Sequence, residues 1–262
     1  MFMKQLKFLM VALTLLMGVS LTSCLNGNDD PTRILDAPLR LVSTYPYTFQ
    51  YPNDGIKIVA TNSTELLTSN IYPGDIVYIR YTYNSDEQPI TATTKEIDAK
   101  VELPLSNNSN CSLNTRSEVV ENSEEGSQYE NATIIDLGEA SNYGMYYYDR
   151  NTLIMIVAYY AKSIENHHFM LLYDKEKNNG EDDVMNLYLR HLNNDSESKL
   201  DAAASYKAFD LSEFIQEFGK EPSKIRIYAN MTSKNDSWSL DDAKEELQYE
   251  EIDYKRYFEN NN

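Results

Sequence analysis

The thiol of Cys24 is the first side chain in the sequence with a defined chemistry. Leu21, Thr22 and Ser23 precede it, a branched apolar residue followed by two small ones. In this lipobox pattern a cysteine thiol takes up a diacylglyceryl group and the peptide is then cut in front of it. The upstream residues have the order that such processing needs: Lys4 and Lys7, an apolar run from Phe8 to Leu16, then Gly18 and Ser20. The apolar run falls short of the roughly 20 residues that a bilayer span requires. Residues 1–23 therefore read as a cleaved leader, and acyl chains on Cys24 would hold the mature chain to the lipid bilayer, each buried methylene contributing about 0.8 kcal/mol.

The other side chains capable of chemistry do not assemble into a recognisable centre. His167 and His168 are adjacent, so on a strand they point to opposite faces and cannot grip one ion together. His191 lies across the polar loop that follows and could face one of them. Cys111 sits in the polar run 107–114, away from any histidine. The loop from Asp174 to Asp183 alternates Asp174, Glu176 and Asn178, but an EF-hand starting there would need glycine and an acid where Asn179 and Met185 stand. Glu181, Asp182 and Asp183 leave only a loose calcium contact open. There is no Gly-x-Ser-x-Gly elbow and no glycine-rich phosphate loop. No metal or cofactor is expected. With 41 acids in the chain some carboxylates must lie close together. A glycan-acting enzyme using such a pair is thus the alternative to a binding role.

Aromatic side chains are the larger resource. The chain has 21 tyrosines against one tryptophan. Tyr146, Tyr147, Tyr148, Tyr159 and Tyr160, with Tyr143 nearby, form a candidate patch that would stack on sugar rings or anchor a partner protein.

Charge narrows the partners. The formal net charge is −18, and removing the leader takes away two lysines and no acid, leaving −20. A surface that acidic repels phosphate backbones, which argues against nucleic acid. Once Cys24 is acylated, Cys111 has no disulfide partner, so stability must come from packed cores.

The segments that must carry these side chains read as all-β. Residues 24–33 are polar and serve as a tether. Residues 34–105 hold strands at Ile56 to Val59, Ile76 to Tyr83 and Glu96 to Leu105, the last two with alternating apolar faces: Val77, Ile79, Tyr81 and Tyr83 on one, Ile97, Ala99, Val101 and Leu103 on the other. This fits a small β-barrel of the OB type. Residues 106–131, rich in Asn, Ser and Glu, read as a polar acidic linker. Residues 132–259 return to long apolar strands and fit an antiparallel β-sandwich. Its last strand is expected in Leu247 to Phe258. One short helix is signalled, with Ser212 as cap, a Leu211, Phe214, Ile215, Phe218 stripe and Gly219 as stop.

Taken together, the leader through Leu21-Thr22-Ser23-Cys24-Leu25-Asn26, the segment Pro73-Gly74-Asp75-Ile76-Val77 and Phe209-Asp210-Leu211-Ser212 resemble the NigD-like lipoproteins. The resemblance covers almost the full length and implies an OB-type barrel followed by a β-sandwich on a lipid anchor. It carries over no catalytic residue, and the family name implies a link to bacteriocin immunity. The acidic residues behind Cys24 resemble a surface-export signal. The expectation is an outer-membrane lipoprotein facing the cell surface, with the periplasmic face as the alternative. It would act as a non-enzymatic binding or adhesion module whose partner is an envelope protein, a secreted toxin or a glycan.

Overall fold

The computed structural model describes residues 30–53, 55–104, 111–123, 132–138, 144–178, 183–195, 201–231 and 248–259. The leader, the lipobox and Cys24 lie outside the described residues. The chain divides into two units, Met1–Ser112 and Leu113–Asn262.

The first unit is a closed five-stranded barrel. Strands β1 (Thr32–Thr44), β2 (Tyr47–Gln50), β3 (Lys57–Ala60), β4 (Ile76–Asn84) and β5 (Glu96–Glu102) close in the order β1-β2-β3-β5-β4, with β4 returning to β1. Only β3 and β5 run parallel. Alternation dictates the interior: Val77, Ile79, Tyr81 and Tyr83 face inward from β4, and Ile97, Ala99 and Val101 from β5. A 3₁₀ turn at Ser63–Leu66 follows β3 and puts Leu66 into the barrel core. Thr32 and Arg33, read as tether, belong to β1 and pair with Asn84 and Tyr83. Cys111 also departs from expectation, because it is buried against the barrel core rather than standing in solvated polar sequence.

Among the described residues the second unit has nine strands: β6 (Asn114–Val120), β7 (Asp136–Leu137), β8 (Met145–Asp149), β9 (Thr152–Ala161), β10 (His167–Asp174), β11 (Val184–Asn193), β12 (Asp201–Asp210), β13 (Lys224–Ala229) and β14 (Gln248–Asp253). Their order is β14-β13-β11-β10-β6-β12-β9-β7, with β8 also on β9. Within the stretch read as a linker, 106–131, residues 114–120 instead form β6, while 106–110 and 124–131 lie outside the described residues. The last five residues of β6 pair in parallel with Met170 to Asp174 of β10, while Asn114 and Thr115 pair in parallel with Ala208 and Phe209 of β12. One strand thus joins two half-sheets, as strands at sandwich corners do. The expected antiparallel sandwich accordingly contains parallel pairs, including β11 with β13.

A large apolar core fills this unit, with a small separate cluster of Val120, Leu172 and Tyr188 on the other face. Leu153, Met155, Val157 and Tyr159 of β9, Phe169, Leu171 and Tyr173 of β10, Met185, Leu187 and Leu189 of β11 and Ile225 and Ile227 of β13 all project into the large core. Helix α1 (Ser212–Phe218) buries Phe214 and Phe218 and ends at Gly219, whose φ of 77° needs a residue without a β-carbon. Its cap differs from expectation. Asp210, not Ser212, supplies the acceptor, taking the Ser212 N–H at 2.8 Å. The final strand stops at Asp253, and Tyr254–Glu259 forms helix α2 instead of continuing it. Asp253 accepts the Arg256 N–H at 2.8 Å, and Tyr254, Tyr257 and Phe258 share one face at i, i+3 and i+4.

Candidate functional site

The tyrosine patch expected at 146–160 is not a surface. Tyr147, Tyr148 and Tyr159 are buried, leaving only Tyr146 and Tyr160 partly open, and Tyr143 lies outside the described residues. Tyr159 packs against His167, Phe169 and His191, and helix α2 covers Tyr147. It lays Tyr254, Tyr257 and Phe258 against Tyr147, with ring centroids 5.2, 5.2 and 5.3 Å away. The Tyr257 hydroxyl donates to the Tyr147 carbonyl at 2.9 Å, and that of Tyr254 to the Arg150 carbonyl at 3.0 Å. These aromatics bind the chain to itself.

A different aromatic set stands on the outer face of the same unit. The registers Tyr188↔Tyr228 and Tyr228↔Tyr249 align three tyrosines across β11, β13 and β14. Adjacent rings lie 5.2 Å apart in each step, the first pair stacked at 16°. Cations flank the row. Lys177 Nζ lies 4.8 Å from the Tyr188 ring centre, Arg190 lies 5.8 Å from the same ring, and Arg226 lies 5.3 Å from Tyr249. Exposure rises along the row, from 6% at Tyr188 to 49% at Tyr249. Tyr188 is buried in a small cluster with Val120 and Leu172, so the open part of the row is Tyr228 and Tyr249. The sequence carries the signal in Tyr188-Leu189-Arg190 and Arg226-Ile227-Tyr228, where an aromatic and a cation share the strand face opposite the aliphatic one. The run of tyrosines at 146–148 is more conspicuous and drew the reading away.

The histidines do come together, but inside the core. His167 and His168 point to opposite faces as expected, His167 inward. The β10·β11 register places His191 diagonally across from it, with His167 Nδ1 2.8 Å from His191 Nε2. The other nitrogen of His167 lies 2.8 Å from Asp195 Oδ2. Asp195 can only accept, so with both rings neutral His167 donates to Asp195 and His191 donates to His167. Asp195 also accepts the Lys162 N–H at 2.6 Å and the Asn166 side-chain amide at 2.7 Å. These bonds, the Lys162 one foremost, hold its carboxyl well below the usual range. His191 is pushed down to about 4, first by burial and then by the neighbouring His167. It stacks on Phe169 with centroids 4.5 Å apart, and Tyr159 closes over both imidazoles. Nitrogens aimed at each other across a hydrogen bond leave no room for an ion between them. Among the described residues, no group of three or more His, Cys, Asp or Glu is arranged to hold a metal.

The polar loop after β10 is tied to the protein by its own ends. Asp174 is fully buried and accepts the N–H groups of Ser123 and Lys177 at 2.8 and 3.2 Å. Asn178 clasps the hairpin through the carbonyls of Asp174 and Asn186. Asp174 therefore has a structural task, while Glu181 and Asp182 lie outside the described residues. Asp183 lines a cavity of about 330 Å³ together with Arg150, Lys220, Glu221, Tyr254 and Phe258. Its acids are held by bases: Lys220 Nζ lies 2.5 Å from Asp183, and Arg150 pairs with Glu221. The Lys220 bond lowers the Asp183 pKa, the opposite of the upward shift that a general acid for glycoside cleavage needs. No helix among the described residues is long and apolar enough to cross a bilayer.

Comparison with known proteins places the fold. No protein-family model matches the chain, and no curated protein does. Solved structures do. A candidate lipoprotein of Bacteroides fragilis is 19% identical with a TM-score of 0.64, covering 85% of this chain and 98% of its own. A Bacteroides vulgatus protein described as DUF1344, of unknown function, is 13% identical with a TM-score of 0.52, covering 85% and 91%. An uncharacterized Parabacteroides merdae protein is 14% identical with a TM-score of 0.50, covering 85% and 99%. At these identities the similarity speaks for the fold alone: a barrel followed by a mostly antiparallel, nearly closed sheet.

Proposed function

We propose that the chain is a lipoprotein, acylated at Cys24 and held at the outer membrane with its two units facing the cell surface. In this reading it works as a non-enzymatic binding module for another envelope protein. The observation that carries the binding role is the Tyr188, Tyr228, Tyr249 row. It puts the partly open Tyr228 and the exposed Tyr249 on a sheet face beside Arg226, which Glu251 holds in place, and tyrosine and arginine are side-chain types that concentrate binding energy at protein interfaces. Similarity of fold to a candidate lipoprotein of Bacteroides fragilis supports the envelope setting, as do the leader and the acids at Asp29 and Asp30 behind Cys24. A role in bacteriocin immunity is one form of this reading and rests on the resemblance alone.

The test places a photo-crosslinking amino acid at position 249 of the full-length protein on intact cells. A discrete adduct with an envelope protein is expected, reduced at least about tenfold by Tyr228→Ala, since truncating an anchor residue typically removes that much affinity. An adduct that survives Tyr228→Ala unchanged, or the absence of one while protease removes the protein from the same cells, would overturn the assignment of this face.

A further inference from the structure

Strand β12 turns a lysine toward the core. Side chains alternate along a strand, and the inner face of β12 is marked by Phe209, which is fully buried, and by Ser205, whose hydroxyl lies 3.3 Å from that of the buried Tyr159. Lys207 stands between them on that face, and its register partner on β9 is the core residue Met155. Its Nζ lies 5.0 Å from the centre of the Phe169 ring. That ring is buried and carries the His191 imidazole, stacked 4.5 Å away. Lys207 itself keeps part of its surface open to solvent. It has no place in the tyrosine row, which occupies the outer face of other strands.

A lysine in this position lacks what buried lysines normally have, a counter-ion. Lys100, Lys175, Lys177, Lys220 and Lys224 each face a carboxylate at ion-pair distance. Among the described residues none forms a hydrogen bond or ion pair with Lys207. Asp195, the acid of the neighbouring histidine cluster, is taken up by His167, the Lys162 N–H and the Asn166 amide. The Phe169 ring face attracts the cation, but it does not replace the water lost on burial, and the pKa of the amine is pushed down. Packing alone does not call for the charge, because a methionine would fill much the same space without it.

An amine that parts readily with its proton, and that solvent still reaches, is a nucleophile, and the electrophile suited to lysines of this kind is a carbonyl carbon. The nitrogen attacks that carbon, an N–C bond forms, and the carbonyl oxygen becomes the hydroxyl of a carbinolamine. The C–O bond then breaks. Of the three protons on the starting ammonium, two leave with the oxygen as water and one stays on the iminium nitrogen, so charge is conserved and no oxidant or cofactor enters. The iminium takes the place of the ammonium over the Phe169 ring. Two further observations narrow the ligand. A chain of net charge −18 repels anions, which favours an uncharged molecule. Tyr159, Phe169 and His191 are packed ring against ring, which favours a small one. We infer that Lys207 is a covalent capture site for a small uncharged aldehyde, held as a Schiff base against Phe169.

The experiment treats the detergent-solubilised full-length protein at neutral pH with limiting propanal and cyanoborohydride, which reduces the imine to a stable propyl-lysine. Peptide mass spectrometry then quantifies each lysine. Lys207 is expected to be modified several-fold faster than the exposed Lys95 and Lys220, and urea should abolish the preference. Lys207→Arg keeps the charge, cannot form an imine and should lose this adduct alone. The comparison among lysines is made within the wild type, so it stands even if the variant fails to fold. Modification of Lys207 at or below the rate of Lys95 would overturn the inference, and so would a preference that survives urea. A third outcome overturns it too: if an uncharged acetyl ester modifies Lys207 first while propanal does not, the amine is reactive but its surroundings do not admit a carbinolamine.

Discussion

His191 illustrates how burial turns one residue into a condition on stability. Tyr159 from β9, Phe169 and His167 from β10 and Lys207 from β12 surround it, with the backbone of Ala132 and Thr133 close by. Its pKa falls from an ordinary 6.5 to about 4 in the folded chain. The unfolded chain therefore binds the extra proton first, and stability present above about pH 6.5 is lost as the pH falls toward 4. The shift corresponds to on the order of 3 kcal/mol. Urea midpoints between pH 7.5 and 4.5 check this: His191→Gln should flatten the decline in that window, and an unchanged slope would refute it. At this scale the sequence was legible where one face is buried. The inward set Val77, Ile79, Tyr81 and Tyr83 follows from alternation alone, and so does the opposition of His167 and His168. It was not legible at Tyr147, because a run of tyrosines does not reveal that a helix covers one of them.

Strand β6 shows why elements are harder to read than faces. Asn114 to Glu118 are polar or charged, and only Val119 and Val120 mark an apolar end, so composition suggests a linker. What makes a strand of it is pairing with residues more than fifty positions away, on β10 and β12. The same holds for β12, whose Ala202, Ala203 and Ala204 have little strand propensity but pair through ten consecutive positions with β9. A proline tells the two readings apart. In a linker Ser117→Pro would be silent, whereas in mid-strand it should cost about 3 kcal/mol or more. Thermal unfolding followed by circular dichroism measures the difference. The helix α2 was misread for a related reason. Tyr254 to Phe258 suit a strand by composition, and the cap at Asp253 with burial against Tyr147 decides for the helix.

For the molecule as a whole, the proposed anchor makes a chemical prediction. The chain has two cysteines, and the second, Cys111, is buried. Cells fed a clickable palmitate analogue should label the wild type and Cys111→Ser equally. Cys24→Ala should be unlabelled and retain its leader, and a wild type that takes up no label would end the lipoprotein reading. The two-unit, all-β plan was legible because barrel and sheet each announce themselves by alternating runs, while the border between them was obscured by β6. That strand also governs the order in which the molecule can be assembled. Every strand of the barrel has its partners between Thr32 and Glu102, so the first unit can close as soon as that stretch is free. Strand β6 must instead wait for Met170 to Asp174 of β10, more than fifty residues later in the chain, and for Ala208 and Phe209 of β12, more than ninety residues later. Contacts that distant are slow to form. Until β10 and then β12 arrive, an emerging chain has a finished barrel leading a strand without its full set of partners, and that interval is when it is most exposed to mispairing and to proteases.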